Sequence, residues 1–386
     1  MKIRAIVATV AMLLLATAGA ACSSSDSKTS SAKTLRIGLE APLTGELAEL
    51  GAGMLNGAQQ AAAQLNAVGG VNGAQVEIIA IDDKGDPDAG VAAAEAAIAA
   101  GLDGIVGPYN SGVGLKTLPL YLQAGLVPLR LTSSDATAGL GFTLQPVTSQ
   151  IAPVATDALV MELKASKVAL IVDDTAAYTK SAAEAMTASL GAKGVTITGT
   201  QAITPGAASY ADAVSAALAA GPDAVYVITY FPEAGLIAQA MKAADTSAKC
   251  LADYGAYDNG YITAAGSAAS TCAVVGVPAP NEFPGSASLV AGYTTTFGSA
   301  PGAWSPYTYD SVLVLADAIT RAGGTSAEAV RTALLATKAW KGWTGSVSFE
   351  ANTGNRLPAP VTVDIVTSAG AFQVDQAWVT ATGFTY

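Results

Sequence analysis

The chemically capable side chains that lie closest together in this sequence are four aspartates. Asp82, Asp83, Asp86 and Asp88 follow one another closely, and carboxylate oxygens at such spacing can coordinate Ca²⁺. The twelve-residue spacing of a calcium loop and its terminal glutamate are both missing. We therefore interpret the cluster as an acidic surface turn and predict no metal site.

Two other spacings match enzyme motifs only in part. Ser30 and Lys33 are spaced as a serine–lysine nucleophile pair, but no Lys-Thr-Gly companion is present. Gly51 and Gly53 begin a dinucleotide-binding pattern in which Asn56 replaces the third glycine. The sequence has no histidine, which excludes Ser-His-Asp and Cys-His catalysis. We therefore predict that the protein is not an enzyme and has no cofactor.

Charge and length restrict the class of protein further. The 386 residues include 19 Lys and Arg against 30 Asp and Glu, a net charge of −11 that argues against a nucleic-acid partner. A chain of this length exceeds what one hydrophobic core usually supports, so we expect two domains. Because 51% of the residues are apolar and only 13% are charged, there is ample material for both cores.

The N-terminus has the pattern of an export signal. Residues 1–21 carry Lys2 and Arg4 before an apolar run that is too short to span a bilayer. Cys22 follows three small residues in a stretch that resembles a lipobox, which predicts a lipidated cysteine anchoring the protein to the outside of the bacterial cell membrane. Ordinary cleavage after residue 20 is the alternative. The polar residues 22–34 then form a flexible tether.

Removal of the signal changes the charge and leaves two cysteines in the body of the protein. Loss of Lys2 and Arg4 gives 17 − 30 = −13. Outside the cytoplasm, Cys250 and Cys272 can form a disulfide. Two buried, unlinked thiols are the alternative.

The rest of the chain alternates short apolar runs with segments of helical periodicity. This order predicts an α/β fold with two doubly wound parallel-sheet lobes, whose ligand binds beyond the carboxyl ends of the strands. Residues 343–350 and 361–374 alternate like strands of a hairpin. The predicted strands are 35–40, 75–82, 103–107, 126–131, 167–173, 194–202, 223–229 and 248–252, and the predicted helices are 52–67, 86–100, 113–124, 150–165, 176–192, 208–220 and 232–245.

Five segments, taken together in order and spacing, resemble one known family. They are residues 41–45, 57–73, 82–87, 225–233 and 306–310. The chain from 35 to 374 is similar to the leucine/isoleucine/valine-binding group of type I periplasmic solute-binding proteins. This resemblance implies a monomer that captures a small-molecule ligand and delivers it to the permease and ATPase subunits of an ABC transporter.

The resemblance also implies how the chain is divided. Two lobes would be joined by a three-strand hinge, with crossings near residues 148–153, 277–280 and 336–340. The N-terminal lobe would comprise residues 35–150 plus 281–337, and the C-terminal lobe residues 151–280 plus 338–386.

On the N-terminal lobe, two loops match the family's ligand loops. Tyr109 and Ser111 lie in the first, where the family binds a carboxylate, and the start of a helix there favours an anion. Ser111 can also serve as an N-cap. The second loop contains Ser133, Ser134 and Asp135. Asp135 replaces the family's threonine, and its carboxylate could bind an ammonium group or cap the short helix that follows.

On the C-terminal lobe, Tyr230 matches the aromatic side chain that covers the ligand in the family. A buried core tyrosine is the alternative. Tyr254 replaces the glutamate that binds the ammonium group, and the neighbouring Asp253 could substitute for it. Leu50 stands where an aromatic often lines the side-chain pocket.

The ligand class that this resemblance implies is a branched-chain or other aliphatic amino acid. Small carboxylates, amides and aromatic acids are the alternatives, because the residues at 135 and 254 depart from the family pattern. A ligand-sensing receptor subunit could use the same closure. An exported hydrolase remains a third class, which would need a Ser–Lys or carboxylate pair.

Overall fold

The first sheet of the computed structural model is parallel, and short apolar strands alternate with helices around it. The structure describes residues 34–384, so the predicted signal at 1–21 and Cys22 lie outside it. The elements are β1 (Thr34–Ala41), α1 (Ala48–Ala67), β2 (Gln75–Asp82), α2 (Pro87–Ala100), β3 (Gly104–Val106), α3 (Ser111–Gln123), β4 (Pro128–Arg130) and β5 (Phe142–Thr143). Their strand order is β2-β1-β3-β4-β5, and every neighbouring pair is parallel.

The chain then enters a second run of alternating helices and strands. The elements are α4 (Thr148–Asp157), β6 (Lys167–Asp173), α5 (Ala177–Ala192), β7 (Thr196–Ile203), α6 (Ala211–Leu218), β8 (Ala224–Ile228), α7 (Phe231–Ala243), β9 (Lys249–Ala252), α8 (Asn259–Ala265) and β10 (Ala273–Gly276). A single π-helical turn, Ala158–Glu162, continues α4.

The last part of the chain adds helices to the first sheet and strands to the second. The elements are α9 (Ala287–Phe297), α10 (Ser305–Ala322), α11 (Ala327–Leu335), β11 (Trp340–Gly342), β12 (Gly345–Phe349), β13 (Arg356–Leu357), β14 (Thr362–Val366), β15 (Phe372–Val374) and α12 (Gln376–Thr382). The second sheet has the order β15-β14-β10-β9-β8-β6-β7. Its pairs β10-β14 and β14-β15 are antiparallel, and every other neighbouring pair is parallel.

These two sheets with their covering helices confirm the predicted two-lobed α/β class. Strands β2 and β6 coincide with the predicted ranges 75–82 and 167–173. Small residues let α1 lie directly on α10, since a Cβ built on Gly57 would come within 2.2 Å of the Ser305 carbonyl oxygen. Between Thr34 and residue 384, no helix combines the length and apolar character needed to cross a membrane.

A separate three-stranded sheet, β11-β12-β13, occupies residues 340–357. The Asp310 carboxylate of α10 accepts hydrogen bonds from the Trp343 and Thr344 amides at 2.8 and 2.7 Å. Arg130 of β4 donates to the Asn355 side chain at 2.5 Å. Because these contacts are with elements of the first sheet, we propose that the third crossing between lobes lies at residues 358–361.

Two buried carboxyl groups lie together beside the first sheet. Glu40 is the last residue but one of β1, and its Oε2 accepts from Thr117 at 3.1 Å. Asp83 directly follows β2, and its carboxylate accepts from the Gly85 amide at 2.8 Å. The second oxygen of each carboxyl has no partner among the described residues. Burial raises the pKa of Asp83 to about 7, and burial together with Asp83 raises the pKa of Glu40 well above its usual value.

We expect Asp83→Asn to flatten the pH dependence of stability. A carboxyl whose pKa is raised by folding favours the folded state fully below its unfolded pKa and loses that contribution as pH rises through the folded value. The wild type should therefore lose on the order of 2–4 kcal/mol between pH 4 and 8 through this group, and Asp83→Asn should not. Urea unfolding at several pH values measures this difference.

The neighbouring Asp82 provides the control of opposite sign. Burial raises its pKa, but hydrogen bonds from Thr44, Lys84 and Leu43 outweigh that effect and leave the pKa lowered. The contribution of Asp82 to the free energy of unfolding is present above its unfolded pKa and is lost at low pH. Asp82→Asn should therefore lower the free energy of unfolding at pH 7. Equal pH profiles for the wild type and Asp83→Asn would contradict the assignment of a raised pKa to Asp83.

A disulfide joins Cys250 of β9 to Cys272, one residue before β10, across a separation of 22 residues. Closing a loop of this length removes conformational freedom from the unfolded chain, worth about 3 kcal/mol. We expect urea unfolding to show that the Cys250→Ala, Cys272→Ala double variant has lost about that much free energy of unfolding. Reductant should lower the unfolding midpoint of the wild type but not that of the variant. A wild-type unfolding midpoint that is insensitive to reductant would contradict this prediction.

Candidate ligand-binding site

A small cavity lies where the carboxyl ends of strands from both sheets face one another. Side chains after β3 and β4 approach it from the first sheet, and side chains after β6, β8 and β9 approach it from the second. About 10 Å³ is free between them, room for roughly one water molecule. The lining residues are Tyr109, Ser111, Leu131, Ser133, Tyr178, Tyr230, Tyr254 and Gly255.

Two serines and a helix start form the polar end of this cavity. Ser111 is the first residue of α3, and its Oγ accepts a hydrogen bond from the Ser134 amide at 3.2 Å. Ser133 donates to the Gln145 side chain at 3.3 Å. Asn110 makes no side-chain cap on α3; its amide nitrogen donates to the Tyr230 hydroxyl at 3.4 Å, and its Oδ1 has no partner among the described residues. The first turn of α3 therefore presents its amide groups and positive dipole end to an anion.

Tyrosine rings form the remaining walls. The rings of Tyr178 and Tyr230 lie 5.9 Å apart, and the Tyr254 ring lies 5.1 Å from Trp304. The Tyr254 side chain is buried, with a relative exposure of 2%, and its hydroxyl interacts with the Ser133 side chain. Burial raises the pKa of Tyr109, Tyr178, Tyr230 and Tyr254. All four hydroxyl groups are therefore neutral hydrogen-bond donors at physiological pH.

Gly255 allows the tyrosine wall to close. A Cβ at this position would lie 2.8 Å from the Thr229 carbonyl oxygen and 3.0 Å from the ring of Tyr178. Any larger residue would push these two groups apart.

A wider opening connects the cavity to solvent. It has a volume of about 770 Å³ and is lined from both sides of the cleft, with Tyr230 shared by opening and cavity. Lys84 and Lys116 from the first sheet's side face Glu233 from the second across this space. Because the inner cavity has little free volume, a solute of amino-acid size can enter only if the two lobes separate or the tyrosine rings turn.

Asp253 does not line the cavity, although the sequence predicted that it could bind an ammonium group. Its Oδ2 accepts from the Tyr178 hydroxyl at 2.5 Å, and its Oδ1 accepts from Tyr226. Burial raises the pKa of Asp253, and the hydrogen bonds from the two tyrosines oppose that rise. The carboxylate therefore positions the Tyr178 ring from behind.

Asp135 also lies outside the cavity and caps a different helix from the one expected. Its Oδ2 accepts from the Ser149 amide at 2.8 Å and from the Thr148 hydroxyl at 2.7 Å, at the start of α4. The short helix at Asp135–Thr137 is capped by Ser134, whose Oγ accepts from the Ala136 amide. The structure thus gives both Ser134 and Asp135 capping contacts, since two helix starts lie close to this loop.

Leu50 lies in a second cavity. This space of about 30 Å³ is also lined by Glu49, Asp258 and Trp304. The Asp258 carboxylate accepts from the Gly260 amide at 2.9 Å, and burial raises the pKa of Asp258 to about 6. The Trp304 ring is 5.9 Å from Tyr109 and 5.1 Å from Tyr254, so it separates the two cavities.

The structure therefore brings together five of the predicted positions around one cavity: Tyr109, Ser111, Ser133, Tyr230 and Tyr254. Their role in binding stays a prediction. Sequence reasoning missed Leu131, Tyr178, Gly255 and Trp304. Tyr178 carried a usable signal, because it lies in the first turn of a helix that follows a strand after a short loop. The signal for Trp304 was weaker: this residue lies just before segment 306–310, which resembles the family.

No charged side chain lines the inner cavity in the part of the chain that the structure describes. Within the same residues, 34–384, no group of three or more Cys, Asp or Glu side chains is arranged to hold a metal ion. The chemistry available in the cavity is hydrogen bonding and contact with aromatic rings.

Two parallel-sheet lobes with a polar cavity between them define a two-lobed α/β binding protein. A family model described as "Periplasmic binding protein" matches residues 34–370. The chain belongs to this family, the type I periplasmic binding proteins of ABC transporters, as its resemblance predicted. Members of the family are solute-binding components of transporters, which are not enzymes, and the family implies an extracytoplasmic location.

Individual relatives give a finer comparison. The Leu/Ile/Val-binding protein BraC3 of Rhizobium johnstonii is 37% identical over 210 residues, which is 53% of this chain and 57% of that relative. The chain thus spans little more than half the length of this relative. The leucine-binding protein LivK of Thermotoga maritima is 22% identical with a TM-score of 0.81, covering 89% of this chain and 98% of LivK. A solute-binding protein from R. palustris in complex with 4-hydroxybenzoate is 18% identical with a TM-score of 0.79, covering 89% and 96%.

Proposed function

We propose that this chain is the extracytoplasmic solute-binding lipoprotein of an ABC importer and that it captures a small carboxylate between its lobes without changing it chemically. The observation that carries the proposal is the cavity itself. Ser111, Ser133 and the start of α3 supply donors from one lobe, and three tyrosines close it from the other. An anion is the group that this arrangement of donors suits best.

The comparisons support a small carboxylate but do not choose among its kinds. BraC3 and LivK are named for branched-chain amino acids, whereas the R. palustris protein holds an aromatic acid. A branched-chain or other aliphatic amino acid was the leading candidate from the sequence. All of these ligands have a carboxylate in common, which is why we place that group at Ser111 and Ser133.

A thermal-shift panel of amino acids, aliphatic acids and aromatic acids tests the proposal on the purified protein. A ligand at 100 times its dissociation constant should stabilise the folded state by about 2.7 kcal/mol. Methyl esters of the active compounds are the matched controls, because they keep the carbon skeleton and remove the negative charge. If no acid stabilises the protein, or if the esters do so equally well, carboxylate capture is wrong.

The membrane anchor is a separate part of the proposal and rests on the sequence around Cys22. We expect the intact protein to fractionate with membranes and a Cys22→Ala variant to be released into the soluble fraction. Retention of Cys22→Ala in the membrane fraction would argue against a lipid anchor at this residue.

A further inference from the structure

The opening that leads to the inner cavity is lined by two buried oxygen atoms that lack a donor. Asp173 is the last residue of β6 and is 0% exposed; its Oδ1 accepts from the Thr175 amide at 2.8 Å and from the Thr175 hydroxyl at 2.6 Å. Its Oδ2 has no partner in the part of the chain that the structure describes. On the other side of the cleft, Asn110 is 8% exposed, and its Oδ1 also has no partner within residues 34–384. Because buried oxygens of this kind normally accept hydrogen bonds, both positions suit a ligand that donates them.

Tyr230 connects these two residues. Strands β6 and β8 are parallel neighbours, so Asp173 and Tyr230 follow the same edge of the second sheet. The Asn110 amide nitrogen donates to the Tyr230 hydroxyl at 3.4 Å from the first sheet's side. Burial raises the pKa of Tyr230, and the nearby charge of Asp173 adds to that rise. The two unpartnered oxygens therefore lie beside the ring that lines both the opening and the inner cavity.

Two further acids line the same opening. Glu233 of α7 is 6% exposed, and its Oε1 accepts from the Gly206 amide at 3.2 Å. Glu46 approaches from the first sheet's side. Burial raises the pKa of Glu233, and the charges of Glu46 and Asp173 raise it as well, against the hydrogen bonds that Glu233 accepts. Acids from both sides of the cleft therefore repel one another here, and a cation placed among them would offset that repulsion.

The lysines that line the opening do not supply this cation. Lys116 is paired with Asp88 at 2.5 Å. Lys84 is exposed, and its backbone amide donates to Asp82. Neither ammonium group forms an ion pair with Asp173 or Glu233 between Thr34 and residue 384.

We infer that Asp173, Asn110 and Glu233 form a second subsite, which holds an ammonium or guanidinium group of the captured solute. Such a group supplies both the positive charge that the acids favour and the hydrogen-bond donors that the two free oxygens lack. The inference rests on the proposed function, since it assumes that the carboxylate of the same solute occupies the inner cavity.

The position of the subsite indicates the class of solute. Asp173 and Asn110 line the opening but not the inner cavity, whereas Ser111 and Ser133 line the inner cavity but not the opening. The cation and the carboxylate therefore lie on different sides of Tyr230. A solute that reaches both subsites has its cation at the end of the carbon chain remote from the carboxylate, as in ω-amino acids and in the side chains of basic amino acids.

Calorimetric titration of the purified protein with matched acids tests this inference. Pentanoate and hexanoate are each compared with the acid that carries an amine at the far end, 5-aminopentanoate or 6-aminohexanoate. Their isomers with the amine next to the carboxylate, 2-aminopentanoate and 2-aminohexanoate, keep the composition and move only the charge. We expect the far-end amine to tighten binding by about 10- to 100-fold over the plain acid for at least one chain length, and by more than its isomer does.

The contrary results separate the inference from the proposed function. If neither far-end amine binds more tightly than its plain acid, or if the isomers gain as much, the second subsite is wrong while carboxylate capture stands. The first of these results would also be expected if Lys84 neutralises the acids in solution. If none of the six compounds binds, the proposed function and the inference are both overturned.

Two variants locate the subsite. Asp173→Asn removes the charge and keeps an oxygen for Thr175, so the ratio of affinities between the far-end amine and the plain acid should fall to near 1. Asp174→Asn is the matched control, because it makes the same change of charge one residue away, at an exposed side chain that does not line the opening. It should leave that ratio unchanged within about twofold. An equal fall in both variants would show a general effect of net charge and would overturn the assignment to Asp173. The wild-type comparison remains decisive if Asp173→Asn fails to fold.

Discussion

Trp304→Ala should lower the free energy of unfolding by about 3–5 kcal/mol and remove ligand-induced stabilisation. The indole is 2% exposed and contacts rings from both lobes, Tyr109 on one and Tyr254 and Tyr257 on the other. Its loss leaves a large cavity beside Tyr254, which is one wall of the binding site. Urea unfolding with and without the best acid from the panel measures both effects.

Trp378→Ala is the matched control for this variant. Trp378 is 1% exposed, and its ring packs on Phe384 with the ring centroids 4.5 Å apart, away from the cleft. The indole nitrogens of Trp304 and Trp378 both have no partner within residues 34–384. We expect a similar loss of stability but full stabilisation by ligand. If both variants keep the ligand effect, Trp304 supports the fold and plays no part in the site.

Ser111→Ala should weaken binding of the acid by about 10- to 100-fold, the value of a hydrogen bond to a charged group. The same hydroxyl oxygen accepts from the Ser134 amide, so the variant should also lose about 1 kcal/mol of stability in the absence of ligand. Calorimetric titration gives the first quantity and urea unfolding the second.

Ser326→Ala is the control for Ser111→Ala. Ser326 also stands at the start of a helix, α11, where it is exposed and makes no side-chain cap. It should change neither affinity nor stability by more than about 0.5 kcal/mol. Unchanged affinity in Ser111→Ala would move the carboxylate away from the start of α3.

The sequence was sufficient to predict the fold where the signal was local. Strand β6 is a run of apolar residues bounded by Lys167 and Asp173, and its length and position follow from that pattern alone. The three-stranded sheet was less predictable, because it depends on Asp310 and Arg130, which are distant in the chain. The helix predicted at 150–165 begins at Thr148 and passes into a π-helical turn at Ala158, which its apolar spacing did not reveal.

The site was predictable for a related reason. Ser111, Ser133 and Tyr230 follow strands, and the carboxyl ends of parallel strands meet at one edge of a sheet. The roles of Asp253 and Asp135 were not predictable, because each depends on a partner elsewhere: Tyr178 for the first and Ser149 for the second. A carboxylate next to a ligand loop cannot be assigned to a ligand until its other partners are known.

The cavity between the two sheets is built from segments spread over most of the chain, from Tyr109 to the tyrosines at 178, 230 and 254, with Trp304 behind them. No contiguous fragment carries the whole site, so a chain still being synthesised offers the solute nothing complete to hold. The solute can stabilise only the finished protein and cannot guide its early folding steps. The same dispersal means that each wall can change by a single substitution while the other walls stay in place. Ligand preference can therefore evolve in small steps on an unchanged scaffold.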